Sequence, residues 1–190
     1  METAAMKFEI ALLNLWMFYA LAYAIAFPLR QWANAKRGEP IEDPEFLSQH
    51  KGVLAAALIW IAGGFAISLF VPVTYESTFY VGLALYILGL IIAGLAFHSF
   101  AHKDGLVTRG IYHYSRNPNY VGWTILIFGL CLMGWSPSPW SIIFLIYFIL
   151  TIPYFHCTIL LEEQYLANKH GDSYRAYLRN TPRYVGASNG

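Results

Sequence analysis

An all-α fold, a polytopic membrane helical bundle of about five transmembrane helices, is predicted by three features of the sequence. Hydrophobic residues make up 57% of the 190 and charged residues 12%, against about 45–50% and about 25% in soluble domains. The 12 Lys and Arg and 11 Asp and Glu are too few to cover a water-soluble particle of this size. Those charges also leave four long gaps: 20 residues at 10–29, 24 at 52–75, 26 at 77–102 and 45 at 117–161. One crossing of the hydrocarbon core needs about 20 apolar residues. The longest gap is broken near its middle by Gly134-Trp135-Ser136-Pro137-Ser138-Pro139, a strong turn signal that divides it into two crossings.

The spans in order are 8–29, 53–71, 78–98, 120–134 and 139–161, forming a single integral-membrane domain over 1–190. The first ends at Phe27-Pro28-Leu29-Arg30-Gln31-Trp32, which reads as a membrane boundary. No small-residue cleavage site follows it, so it is expected to be retained rather than removed as a signal peptide. The fourth span is short, and with the tight turn after it this suggests either a helical hairpin that does not reach fully across the bilayer on its own or a pair that leans on its neighbours. After the fifth the helix is expected to continue to Gly171, followed by a short amphipathic helix over Asp172–Asn180 that Pro182 ends. In that helix Tyr174, Tyr177 and Leu178 share one face and Arg175 and Arg179 another.

Eleven of the twelve basic residues fall in the loops after spans one, three and five: Arg30, Lys36, Arg37 and Lys51; Lys103, Arg109 and Arg116; Lys169, Arg175, Arg179 and Arg183. Only Lys7 lies on the other side, which places the N-terminus outside and the C-terminus in the cytoplasm. A formal net charge of +1 excludes nucleic acid as a partner, because no global field would gather it. The two cysteines, Cys131 and Cys157, stand in apolar runs without CxxC or Cys/His spacing and are expected to be packing residues.

Chemically capable residues gather at the cytoplasmic edge. His98 and His102 are spaced i, i+4 as two metal ligands could be, but no HExxH or further His pair supplies a third, and no metal site is expected. Asn117-Pro118-Asn119-Tyr120 reads as a turn opening a helix, whose free N–H groups suit an electron-rich ligand group. Glu162-Glu163 ends 45 residues without a formal charge. Carboxylates at the hydrocarbon boundary are costly unless they face a polar cavity or a partner.

The ordered series Leu106-Val107-Thr108-x-Gly110-x-Tyr112-x-x-x-Arg116-Asn117-Pro118-x-Tyr120-x-Gly122, then Glu162-Glu163-x-x-Leu166, Gly171-x-x-Tyr174-x-x-Tyr177 and Pro182-Arg183-Tyr184, resembles the isoprenylcysteine carboxyl methyltransferase family. The resemblance covers about residues 98–185. It implies an integral-membrane enzyme using S-adenosylmethionine, with a cytoplasmic cofactor-binding C-terminal half built from about 98–120 and 162–185. Its implied cofactor residues are Asp104, Gly105, Leu106, Val107, Tyr112, Asn117, Pro118, Asn119, Tyr120, Glu162 and Glu163, and its expected catalytic residues are Glu163 and Arg116. The implied partners are membrane lipids and a lipid-like or prenylated small-molecule or peptide substrate, methylated on its carboxylate. Two positions depart from the family pattern. Asn117 stands where relatives carry His, and Thr158 stands where relatives acting on prenylcysteine carry Arg, so a substrate carboxylate lacks that charge partner.

Lipid N-methyltransferases, phospholipid ones among them, share a similar cofactor region, and membrane reductases using NADPH share a comparable C-terminal motif. A small transporter is the further alternative. It is disfavoured because spans one to three carry no charge in their interiors and five helices do not form inverted halves.

Overall fold

The computed structural model describes residues 14–102 and 105–186. Among the described residues seven α-helices follow one another: α1 (Trp16–Arg37), α2 (Pro44–Gln49), α3 (Lys51–Ser68), α4 (Ser77–Ala101), α5 (Pro118–Met133), α6 (Pro139–His170) and α7 (Asp172–Asn180), with a 3-10 turn at Gly110–His113. No strand interrupts them among the described residues. The α3, α4 and α6 helices are long and apolar enough to cross a membrane. The apolar α5 has 16 residues, in keeping with the short fourth span. The start of the first expected span lies outside the described residues. Its helix continues past position 29 to Arg37, with Pro28 inside it. Pro is tolerated in helices packed within a membrane bundle, and Arg30, at the end of the apolar part, reaches Glu42 in the following loop. Three of the five expected crossings are therefore full-length helices, α5 is a shorter one, and α1 is apolar only as far as Leu29.

Helix ends follow local chemistry. Gly38 takes φ +78° after α1 and donates its N–H to Asn34 O at 2.9 Å, a conformation that glycine adopts without a Cβ penalty. The α2 turn, which the spans do not anticipate, starts where the Asp43 carboxylate accepts from Glu45 N at 2.9 Å with Pro44 at the first helical position. Ser138 caps α6 in the same way through Trp140 N at 3.3 Å. The expected stop at Gly171 and the expected α7 are both present.

The closest packing is between α4 and α5. Each offers glycines seven residues apart, Gly82 and Gly89 against Gly129 and Gly122. A Cβ on Gly82 would lie 2.5 Å from Gly129 O, and one on Gly129 would lie 2.6 Å from Gly82 O. Gly89 and Gly122 oppose each other likewise, at 2.6 and 2.9 Å. Small residues let helix backbones approach where lipid offers no hydrophobic drive. The two helices thus meet backbone to backbone, and Leu126, Leu130 and Met133 of α5 fill the core beside Leu15, Tyr19 and Tyr86.

Tyr and Trp polar groups in the bundle interior pair with other side chains and with the backbone, as a medium without water favours. The Tyr19 and Tyr147 hydroxyls lie 3.2 Å apart, Tyr86 donates to Phe18 O at 2.9 Å, and Trp60 Nε1 donates to Thr151 Oγ1 at 3.2 Å. The outward faces are apolar: Ile59 on α3 is 72% exposed, and Ile91, Leu95, Ile146, Ile149 and Ile152 are also exposed, a surface suited to lipid rather than water. Cys131 is buried, but Cys157 is exposed. The expectation that both are packing residues holds for the first alone, because α6 turns position 157 to the outside.

Replacing Gly89 or Gly129 with Leu forces α4 and α5 apart and should cost at least about 1–3 kcal/mol, as overpacking does. Gly63→Ala, where a Cβ meets nothing within 4 Å, should be neutral or stabilising by up to about 1 kcal/mol. Thermal unfolding in detergent measures both, and equal melting temperatures for all three variants would rule out the seam.

Candidate functional site

The polar end of the bundle is assembled from the loop after α4, the start of α5, the last two turns of α6, and α7 with the segment after it. Consecutive helix residues point about 100° apart, so Glu162 and Glu163 serve different surroundings. The Glu163 side chain is only 9% exposed and is held by two guanidinium groups. Arg116 Nη2 lies 3.1 Å from Oε1, while Arg183 Nη2 lies 2.8 Å from Oε2 with its Nε at 3.1 Å from the same oxygen. Asn117 Nδ2 donates to Oε1 at 3.4 Å. Its own hydrogen bonds to the Glu163 carboxylate push the Arg183 guanidinium above its ordinary value.

The arginines tie segments together as well as neutralising charge. Arg116 N donates to Pro182 O at 3.0 Å and Arg116 Nη1 to Leu178 O at 2.7 Å. Asn117 Nδ2 and Ser115 Oγ donate to Arg183 O at 3.1 and 3.4 Å, and the Tyr177 hydroxyl donates to Tyr112 O at 2.6 Å. The chain after α7 is thereby fastened along the entrance to α5.

Glu162 faces the other way. Its Oε1 accepts from the Tyr120 hydroxyl at 2.5 Å, and its Oε2 has no hydrogen-bond donor among the described residues. Tyr120 is steadied edge-on by Phe155, the ring centroids 5.2 Å apart. Burial raises the phenol of Tyr112 above its usual range, the Glu162 charge adds to this, and Arg37 opposes it, so these three side chains share one field. Pro118 opens α5 at its first position, and Asn117 makes no side-chain cap, leaving the first N–H groups of the helix without intrahelical partners. On that first turn Asn119 Oδ1 is buried with no partner among the described residues.

The remaining sequence candidates fall nearby, with exceptions. Val107 is buried and Leu106 half-buried, and Gly105 bends the loop at φ +66°. Asp104 lies outside the described residues. His98 and His102 do share a helix face, ring centroids 4.4 Å apart, but both rings lie against Trp32 at 6.1 and 5.9 Å. No third His, Cys, Asp or Glu joins them among the described residues. Trp32 and His98 stand at one end of an apolar groove of about 500 Å³ between α1 and α4, lined also by Leu29, Ile91, Gly94 and Leu95.

Sequence reasoning missed Arg37 at the site and gave Arg183 no role. The Arg37 side chain is 8% exposed; its Nη2 donates to Gly105 O at 2.7 Å, its Nη1 to Phe100 O at 3.5 Å, and its guanidinium lies 4.0 Å over the Phe100 ring. It had been counted only as a cytoplasmic charge. Its place one residue before the Gly38 stop of α1 was the available signal.

A family profile described as phospholipid methyltransferase matches residues 77–173, from the start of α4 into α7. The chain belongs to the phospholipid methyltransferase family. Among curated relatives, the protein-S-isoprenylcysteine O-methyltransferase of Dictyostelium discoideum is 27% identical over 175 residues, covering 78% of this chain and 67% of the relative. The protein of the same name from Schizosaccharomyces pombe is 39% identical over 83 residues, covering 43% of this chain and 33% of its own length. No solved structure matches the chain significantly. Arg37 and Arg183 lie outside the family match, yet both hold segments within it.

The two carboxylates separate by experiment. Glu163→Ala strands Arg116 beneath the surface and should destabilise by about 3–5 kcal/mol, as breaking buried ion pairs does. Glu162→Gln keeps an acceptor for Tyr120 and should cost less than about 1 kcal/mol. Thermal or urea unfolding in detergent reads the difference, and the reverse order would show that the pairing is misassigned.

Proposed function

We propose that this chain is an S-adenosylmethionine-dependent methyltransferase of the membrane that methylates the carboxylate of an isoprenylcysteine-like lipophilic substrate. The observation that carries the reading is a pair of acceptors at the entrance to α5, the Glu162 carboxylate beside Tyr120 and the buried, unpartnered Asn119 Oδ1, within a family of methyltransferases. These residues fit an adenosyl cofactor. Its amine, ammonium and hydroxyl donors need acceptors, its carboxylate suits the uncapped N-terminus of α5, and its adenine suits the apolar Leu106 and Val107. When bound, it supplies an electrophilic methyl group on a sulfonium.

In this reading Asp104–Val107, Tyr112, Asn117–Tyr120 and Glu162 hold the cofactor. Glu163 and Arg116, expected to be catalytic, become positioning residues, because the Glu163 oxygens are taken by Arg116 and Arg183. Arg37 fixes the carbonyl of Gly105 and so the shape of the cofactor loop. A carboxylate acceptor is already ionised at neutral pH, so the chain has to bind, align and exclude water rather than move a proton. An amine acceptor would first have to lose a proton, and Glu162, with one free oxygen, is the group placed to take it. The names of both relatives, isoprenylcysteine O-methyltransferases, favour the carboxylate.

The basic loops set the orientation proposed here, N-terminus outside and cofactor site cytoplasmic. The exposed apolar faces of α3, α4 and α6 let a prenyl chain approach through the bilayer while the cofactor comes from water.

S-adenosylhomocysteine at about 100 times its dissociation constant should stabilise the purified protein by about 2.7 kcal/mol, and NADPH should not. Stabilisation by NADPH alone would overturn the cofactor assignment. In calorimetry Glu162→Gln and Asn119→Ala should each weaken S-adenosylhomocysteine about tenfold or more, about 1.4 kcal/mol. With labelled S-adenosylmethionine, an S-farnesylcysteine analogue should gain the methyl group as a base-labile ester. Label entering phosphatidylethanolamine instead would identify a lipid N-methyltransferase.

A further inference from the structure

Behind the Glu163 pairing, on the side formed by α7 and the chain after it, lies a second recess of about 210 Å³ lined by Arg116, Leu178, Arg179, Asn180, Thr181, Pro182 and Arg183. Small-molecule pockets for drug-sized ligands usually occupy about 300–1,000 Å³, so this one is too small for an adenosyl cofactor. At about 30 Å³ per water it has room for a small tetrahedral anion with its hydration.

Its charge is unbalanced. Three arginines stand around it, and the one carboxylate at its back, Glu163, is shared by Arg116 and Arg183. Arg179 pairs with no acidic group among the described residues, and its side chain is exposed at the rim. The Arg116 side chain is 9% exposed, and its Nε is buried without a partner among the described residues. Buried donors are normally satisfied, so one left over on a residue that lines a recess marks a place for an acceptor.

Part of the wall that would repel an anion is already engaged by donors. Leu178 O accepts from Arg116 Nη1, Pro182 O from Arg116 N, Tyr177 O from Thr181 N, and Arg183 O from Asn117 Nδ2. Three of the lining carbonyls, those of Leu178, Pro182 and Arg183, are thus occupied, while the Arg179 guanidinium, the Asn180 amide and the Thr181 hydroxyl are donors in the same wall. We infer that this recess is a second binding site, distinct from the cofactor region, for a phosphate-type anion held by Arg116, Arg179, Thr181 and Arg183. Arginine forks suit such oxygens bidentately. The anion bridges α7 to the entrance of α5, so its binding stiffens the segment that closes over Glu163. At the polar edge of a membrane the same chemistry is offered by a lipid headgroup and by free phosphate.

The test is a thermal-shift titration of the full chain in neutral detergent, with chloride holding ionic strength constant. One arm uses inorganic phosphate, another dihexanoyl phosphatidic acid, and dihexanoyl phosphatidylcholine is the control. A saturable rise in melting temperature is expected with an anionic ligand, at least tenfold weaker in Arg179→Ala, restored in part by Arg179→Lys and unchanged in Glu162→Gln. A response to both ligands supports a site that reads the phosphate itself. A response to phosphatidic acid alone supports a headgroup site, and one to phosphate alone a site for the free anion. No response, an equal response in Arg179→Ala, or displacement of phosphate by S-adenosylhomocysteine overturns the inference. Because the probes are anions and not the methyl donor, a failure here leaves the methyltransferase reading standing, and failure of that reading leaves this site standing.

Discussion

Where α6 leaves the apolar layer, the Glu163 carboxylate has to be neutralised, because an ionised group at that depth is stable only when paired and hydrogen-bonded. Two guanidinium groups do this, one from Arg116, two residues before α5, and one from Arg183 in the chain after α7. Meeting that requirement fixes three remote segments at one point. The loop after α4 must end beside α6, α7 must fold back beneath it, and the last turns of the chain must run along the start of α5. Their carbonyls then accept from Arg116, Asn117 and Ser115. The same pairing decides what Glu162 can do. Helical geometry turns it away from the arginines, toward Tyr120 and the uncapped helix start, where the proposed cofactor site lies.

The glycine seam supplies the second constraint. Because Gly82 and Gly89 meet Gly129 and Gly122 with no room for a Cβ, the height of α5 against α4 is set by backbone contact rather than by side chains that could repack. The height at which Asn117, Asn119 and Tyr120 present themselves follows from that contact. A rigid α4–α5 pair and a charge-pinned α6–α7 return therefore meet at one edge, and the acceptors collect where they meet. Arg37 adds a strut from α1 by gripping the carbonyls of Phe100 and Gly105.

Much of this was legible in the residues. Pro118, Pro139, Gly171 and Pro182 mark helix boundaries through backbone chemistry that tertiary contacts seldom reverse, and the structure keeps each of them. The charge-free runs located α3, α4 and α6 because hydrocarbon admits few alternatives. The Glu pair was conspicuous because a carboxylate after so long an apolar run needs a reason. Sequence could not apportion the pair, since adjacent residues read alike in one dimension and differ only once the helix has a front and a back. Arg37 was hidden for a related reason: besides the nearby Glu39, its partners at the site are backbone carbonyls more than sixty positions away, which carry no side-chain signature. The extent of α1 beyond Leu29 and the outward turn of Cys157 likewise depend on neighbours, Glu42 for the first and the facing of α6 for the second.

In the proposed reading the two adjacent carboxylates divide the work, Glu163 holding the architecture and Glu162 meeting the cofactor. A structure of the chain with S-adenosylhomocysteine bound tests this division most directly. The expected result is a ligand donor within hydrogen-bond distance of Glu162, with Glu163 still held between Arg116 and Arg183. A ligand held by Glu163, with its arginines released, would contradict the account.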